Sequence, residues 1–193
     1  MTEEFSLFKS LNKDGGAETP PVGGRQFCGD LNMRIAKDGT WFYHGSPIGR
    51  KELVRLFASV LSRDENGEFW LITPAEMGRI QVDDAPFIGV ELFSKGSGAD
   101  QTLSLRTNVD ENVMIDGDHP LRVETDPRTG EPSPYVTIRD GLDARLARSV
   151  YYHLVSLGGE ETVEGERIFG VWSSGMFFPL GEVEEAEEVP EEE

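Results

Sequence analysis

The sequence has one cysteine, Cys28, only three histidines, and half as many bases as acids: 18 Lys and Arg against 36 Asp and Glu. Each shortage closes something off. A lone cysteine forms no internal disulfide, so the fold must be held by burial, as in a reducing compartment, and the cytoplasm is the expected location. No stretch approaches the roughly 20 apolar residues that cross a bilayer as a helix, and the start, Met1-Thr-Glu-Glu-Phe5, carries acids where a secretory signal carries bases. The formal charge of −18 opposes attraction to phosphate backbones and anionic lipid, which sets nucleic acid and membranes aside as partners.

Catalytic and metal motifs are scarce too. No Gly-x-Ser-x-Gly occurs, and Cys28 has no base or turn motif around it, so no catalytic residue is expected. His44, His119 and His153 lie in no His-x-x-x-His or Cys-x-x-Cys spacing, which leaves zinc without local ligands. The acids of Asp110-Glu-Asn-Val-Met-Ile-Asp116-Gly-Asp118 do not fall at alternate positions before a glycine with a glutamate behind, and turn chemistry accounts for Asp116-Gly-Asp118. Neither a metal nor another cofactor is expected.

What is present is strand and turn patterning in the middle of the chain. Residues 1–25 read as an arm and linker: Phe5, Phe8 and Leu11 share one side of a short helix, and a Gly/Pro-rich stretch follows. Leu31, Met33 and Ile35 then alternate with polar residues. Asp38-Gly39 marks a hairpin turn, and Trp41-Phe42-Tyr43 is the returning strand. Ser46-Pro47 reads as a helix N-cap with proline near the first turn, ahead of Leu53, Leu56, Phe57, Val60 and Leu61 at helical spacing. Short strands follow at Phe69–Ile72, around Ile80 and Val82, and at Ile88, Val90 and Leu92, before a Gly/Ser linker at 94–100. The last twelve residues hold eight glutamates, so 183–193 reads as a solvated, disordered tail, leaving −10 for the rest.

The middle of the chain matches itself. Leu31-Asn-Met-Arg34 matches Leu103-Ser-Leu-Arg106 at an offset of 72, and Asp38 matches Asp110 at the same offset. The second copy takes in about twenty extra residues around Pro127-Arg-Thr-Gly130, read as an added hairpin. Leu146, Val150 and Leu154 then match Leu53, Phe57 and Leu61. The expected fold is α+β: two small domains, 26–93 and 101–182, of a repeated hairpin-helix-strand motif, mainly antiparallel sheets each packed with one main helix.

The run Gly29-Asp-Leu-Asn-Met-Arg-Ile-Ala-Lys-Asp-Gly-Thr-Trp-Phe-Tyr-His-Gly-Ser-Pro-Ile-Gly-Arg50, with Leu53-Val-Arg-Leu-Phe57 and Asp83-Asp-Ala-Pro-Phe87, resembles the bacterial domain of unknown function 1285 across roughly 27–181. The resemblance implies a two-domain α+β protein with repeated motifs and a role in signalling or regulation. It supplies no catalytic residues.

One local charge pattern stands out. Gly49-Arg50-Lys51 puts two cations where a helix dipole and free N–H groups favour negative charge, whereas the matching second helix is expected to open on Asp140-Gly-Leu-Asp143. Ser46, Gly49, Arg50 and Lys51 are therefore the candidate anion-binding residues; the plainer reading is that the two cations pair with the chain's abundant acids. The expected function is a non-enzymatic regulatory or signal-transduction module with a protein partner, bound in a groove between the domains or at an exposed strand edge. The alternative is a sensor or enzyme acting on a small anion at the first helix.

Overall fold

The computed structural model describes residues 24–182. The expected arm helix around Phe5, Phe8 and Leu11 and the tail from 183 lie outside the described residues. Elements run β1 (Gln26–Ile35), β2 (Trp41–Tyr43), β3 (Ser46–Pro47), α1 (Lys51–Ser59), β4 (Leu61–Arg63), β5 (Phe69–Ile72), β6 (Glu76–Val82) and β7 (Phe87–Lys95). After a short 3-10 turn at Gly98–Asp100 come β8 (Thr102–Thr107), β9 (Asn112–Met114), β10 (Leu121–Thr125), β11 (Pro132–Arg139), β12 (Leu142–Leu146), α2 (Arg148–Ser156), β13 (Gly159–Val163), β14 (Glu166–Ser173) and β15 (Met176–Glu182). Three sheets result, ordered β3-β2-β1-β6-β5-β4, β10-β11-β12-β7-β8-β9 and β13-β14-β15.

This corrects the α+β expectation. Strand takes up 54% of the described residues and helix 13%, so the protein is mostly β. Each helix has nine residues and fully buries two side chains, Phe57 and Ala58 in α1, Val150 and Leu154 in α2. At about 1.5 Å per residue such a helix is roughly 14 Å long, whereas six strands about 4.8 Å apart are roughly 24 Å across. A single short helix cannot cover such a sheet.

Helix falls short of the expectation at two places. The first helix ends at Ser59; Leu61, placed on its apolar stripe, starts β4, and Leu56 is 45% exposed. In the second copy Asp140-Gly141 is a turn with positive φ at both residues, 34° and 74°, joining β11 to β12. Leu142, Ala144 and Leu146 are buried while Asp143 and Arg145 are not, the period of two that a strand requires. Helix α2 therefore begins at Arg148, with no acid in its first turn. The expected contrast between a basic first helix start and an acidic second one does not exist.

The chain forms two compact units. One holds the described residues up to Ile88 with Thr107–Glu111 and Thr137–Ala144; the other holds Gly89–Arg106, Asn112–Val136 and the described residues from Arg145 onward. In the first unit Leu31, Met33, Ile35, Trp41, Phe57 and Leu71 are almost wholly buried, with the Trp41 and Phe57 rings stacked 6.1 Å apart. The tip of the β8–β9 hairpin belongs to this unit: Asn108 accepts from Ile88 N at 3.0 Å and donates to Gly39 O at 3.4 Å. Gly39, at φ 81°, has no room for a side chain there, since a Cβ would meet Asn108 and Ile88 at 2.7 Å.

In the second unit the buried Ser173 hydroxyl donates to Ile115 O at 2.6 Å and accepts from Leu103 N at 2.9 Å, tying β14 to β8. Leu121–Thr125 and Pro132–Arg139 pair antiparallel around the turn at 126–131, where the added hairpin is expected. The residues matched at offset 72 also behave alike within their own units. Leu31, Met33, Leu103 and Leu105 are buried, and Arg34 and Arg106 each pair with a nearby acid, Asp83 and Glu91.

Candidate binding face of the first sheet

β1 alternates, so with Leu31, Met33 and Ile35 turned to the core, Asp30, Asn32 and Arg34 face out. β6 lies parallel to it and does the same, burying Gly78 and Ile80 and leaving Arg79 and Gln81 outward, with Asp83 just beyond its end. The outward rows read Asp-Asn-Arg on β1 and Arg-Gln-Asp beside it, so opposite charges meet. Arg79 grips Asp30 through two nitrogens at 2.7 and 3.1 Å and reaches Glu68 at 2.8 Å. Arg34 grips Asp83 the same way at 2.8 and 2.7 Å, with its guanidinium 5.7 Å from the Phe42 ring centre. These bonds hold the Asp30 and Asp83 carboxyls below the usual carboxylate range and push both guanidinium groups up.

Between the two pairs the strand bulges. From Asp30 to Arg34 β1 spends four residues against two on β6, from Arg79 to Gln81. Asn32 takes up the excess at φ 51°, and its carbonyl accepts the amide of His44, itself at φ 46°. Left-handed backbone suits Asn and His better than most residues, and bulges re-aim side chains beside them. The bulge, both arginines, Phe42 and His44 border an open groove of about 430 Å³ within the first unit.

The residues singled out from sequence lie elsewhere. Ser46 caps no helix: it is an exposed residue of β3, paired with Tyr43. Arg50 is the N-cap of α1 with no side-chain cap bond, and Gly49 precedes it. The Lys51 ammonium sits 3.0 Å from Asp110, which also pairs with Arg55. Of the acids weighed as a metal site, Asp110 thus faces two cations and Asp116 accepts the amides of Asp118 and His119 in a turn. Among the described residues no three His, Cys, Asp or Glu side chains are grouped to hold an ion. Cys28 is half-buried, and burial, then the charge of Glu76, push its thiol pKa up, away from the thiolate a nucleophile needs.

Arg34, Arg79 and Asp83 do not stand out as a set in the sequence. Alternation placed Arg34 outward, but nothing local marks β6 as its parallel neighbour.

A domain of unknown function, the DUF1285 N-terminal domain, matches residues 20–85, and the C-terminal domain of the DUF1285 protein of unknown function matches 86–180. The chain belongs to the DUF1285 family. A crystal structure of a DUF1285 protein from Silicibacter pomeroyi DSS-3 is 44% identical, with a TM-score of 0.77 over 92% of this chain and 93% of that one. A second, from Shewanella baltica OS155, is 28% identical, with a TM-score of 0.50 over 64% of this chain and 90% of that one. No curated protein matches this DUF1285 chain. Among its described residues no helix is long and apolar enough to cross a membrane.

Proposed function

We propose that this DUF1285 protein is a non-enzymatic regulatory or signal-transduction module, working in the cytoplasm, whose first sheet presents the Arg34–Arg79 groove to a protein partner. The observation that carries the reading is the pair of opposed rows on β1 and β6. Their charges are already held in place by one another, so donors and acceptors stand in fixed positions without further ordering, which reduces the entropy cost of docking. The groove is lined mainly by charged and polar side chains, Asp30, Asn32, Arg34, His44, Arg79 and Gln81 among them, unlike the predominantly apolar lining of a small-molecule site.

Affinity capture with the full-length protein and with Gln81→Trp tests this. Gln81 is exposed in the groove, so the tryptophan fills it without entering the core. A partner held by the parent and lost by the variant, at equal melting temperature, supports the reading. Equal capture by both proteins overturns the groove as the docking surface.

A second reading, a sensor or enzyme for a small anion, is favoured by one observation: the start of α1 has no side-chain cap, which leaves first-turn amides for a ligand near Arg50. Against it, Lys51 is already turned to Asp110.

A further inference from the structure

We infer that β13 is a docking edge for an extended basic segment of a partner protein, which adds to the third sheet as a fourth strand. β13 ends the order β13-β14-β15, and among the described residues it pairs with β14 alone. That pairing is regular over five consecutive positions, Gly159↔Gly170 to Val163↔Glu166, and all five β13 residues are exposed. A strand so placed offers one row of backbone donors and acceptors to the next chain. Proline and a bulge, two devices that usually blunt an edge, are missing from it, and the charged residues it does carry are acids, with no lysine.

Charge selects the occupant. β13 and the turn after it carry Glu160, Glu161 and Glu164, with Glu166 opposite Val163. Arg167 pairs with Glu160, and Glu161 accepts the indole N–H of Trp172 at 2.9 Å, so both glutamates are anchored to side chains of β14. A second copy adding through the same edge would set glutamates against glutamates, which is unfavourable for directly opposed cross-strand pairs. Glu160 and Thr162 share one face of β13 and Glu161 and Val163 the other, so a strand with lysine or arginine at alternate positions sets its bases beside Glu160 and its apolar residues beside Val163, on the face where Glu161 is already bonded to Trp172.

The test uses full-length protein and an end-capped Lys-Val-Lys-Val-Lys-Val peptide as probe. The expected result is binding that slows amide exchange at Gly159–Val163 and weakens as salt is raised. The same peptide N-methylated at alternate residues keeps its charge but lacks half its backbone donors, and should bind at least ~10-fold more weakly. Glu160→Lys with Glu161→Lys should weaken the parent peptide similarly while leaving the melting temperature within a few degrees. Equal binding of the methylated peptide would reduce the interaction to charge and overturn the inference. So would protection confined to other strands, or no binding at low salt. Capture of a groove-dependent partner is a separate readout, so failure here leaves the Arg34–Arg79 reading standing.

Discussion

Asp110 and Glu111, neighbours in the turn between β8 and β9, hold the two ends of the same helix. Asp110 pairs with Lys51 and Arg55 along the first turns of α1. Glu111 takes both oxygens to Arg139, whose other nitrogen donates to Ala58 O at 2.5 Å in the last turn, with the guanidinium 5.4 Å from the centre of the Phe87 ring. A cation at a helix C-terminus is favoured by the dipole and satisfies an orphan carbonyl. A nine-residue helix is too short to be stable alone, so these contacts, with Phe57 against Trp41, are what keep it in place.

Arg139→Lys should therefore behave as a poor replacement. A single ammonium nitrogen cannot stand at both guanidinium positions, the one against Glu111 and the one against Ala58 O, so chemical denaturation should show a loss of about 1–2 kcal/mol. A loss no larger than that of an exposed Arg→Lys change would mean the cap contributes nothing.

Asp110 combines charge with a left-handed backbone at φ 63°. Asp110→Asn keeps a residue that tolerates this conformation and removes the charge, so it should lose about 0.5–1 kcal/mol. Asp110→Gly also loses the pair but relaxes the backbone, and should be the less damaged of the two. The reverse order in a melting series would place the main contribution of Asp110 in its side-chain hydrogen bonding.

Gly78 sits under Leu31. A Cβ there would lie 2.5–2.7 Å from three atoms of the Leu31 side chain, which is 1% exposed and has nowhere to go. Gly78→Ala should cost about 1–3 kcal/mol through overpacking. Pairing it with Leu31→Val should recover part of the loss, which a double-mutant cycle would detect.

The groove pairs also make a pH prediction. Asp30 and Asp83 have folded-state pKa values below their unfolded ones, so their contribution is complete above the ordinary aspartate value of about 4 and fades as pH falls through the lower, folded value. Between neutral pH and about 4 the parent and an Asp30→Asn, Asp83→Asn protein should keep a constant difference in melting temperature; below that the difference should shrink. A difference that persists to pH 2 would assign the effect to packing.

Phosphate separates the two functional readings. The module reading expects the same small rise in melting temperature for the parent and Arg50→Ala, because Lys51 is already paired. A rise that disappears in Arg50→Ala would put the anion reading first.

Much of the local structure was legible. The alternation of Leu31, Met33 and Ile35, the Asp38-Gly39 turn and the hairpin around 127–130 could be read because each depends on neighbours a few residues away. The same Asp-Gly signal at Asp140-Gly141 resembles a helix start, although the alternation through Leu142, Ala144 and Leu146 marks a strand. Ser46-Pro47 looked like a cap, yet it pairs with β2 and the helix begins four residues past Pro47.

By itself the sequence determined the periods, the turns and the excess of negative charge, all consequences of residue type at short spacing. Only the tertiary structure decided that β6 lies parallel to β1, so that Asp-Asn-Arg meets Arg-Gln-Asp, and that Asp110 and Glu111 reach a helix some fifty residues earlier in the chain. Those contacts depend on which distant strands share a sheet, and burial, which selects them, is non-directional and leaves no local mark on the residues it brings together.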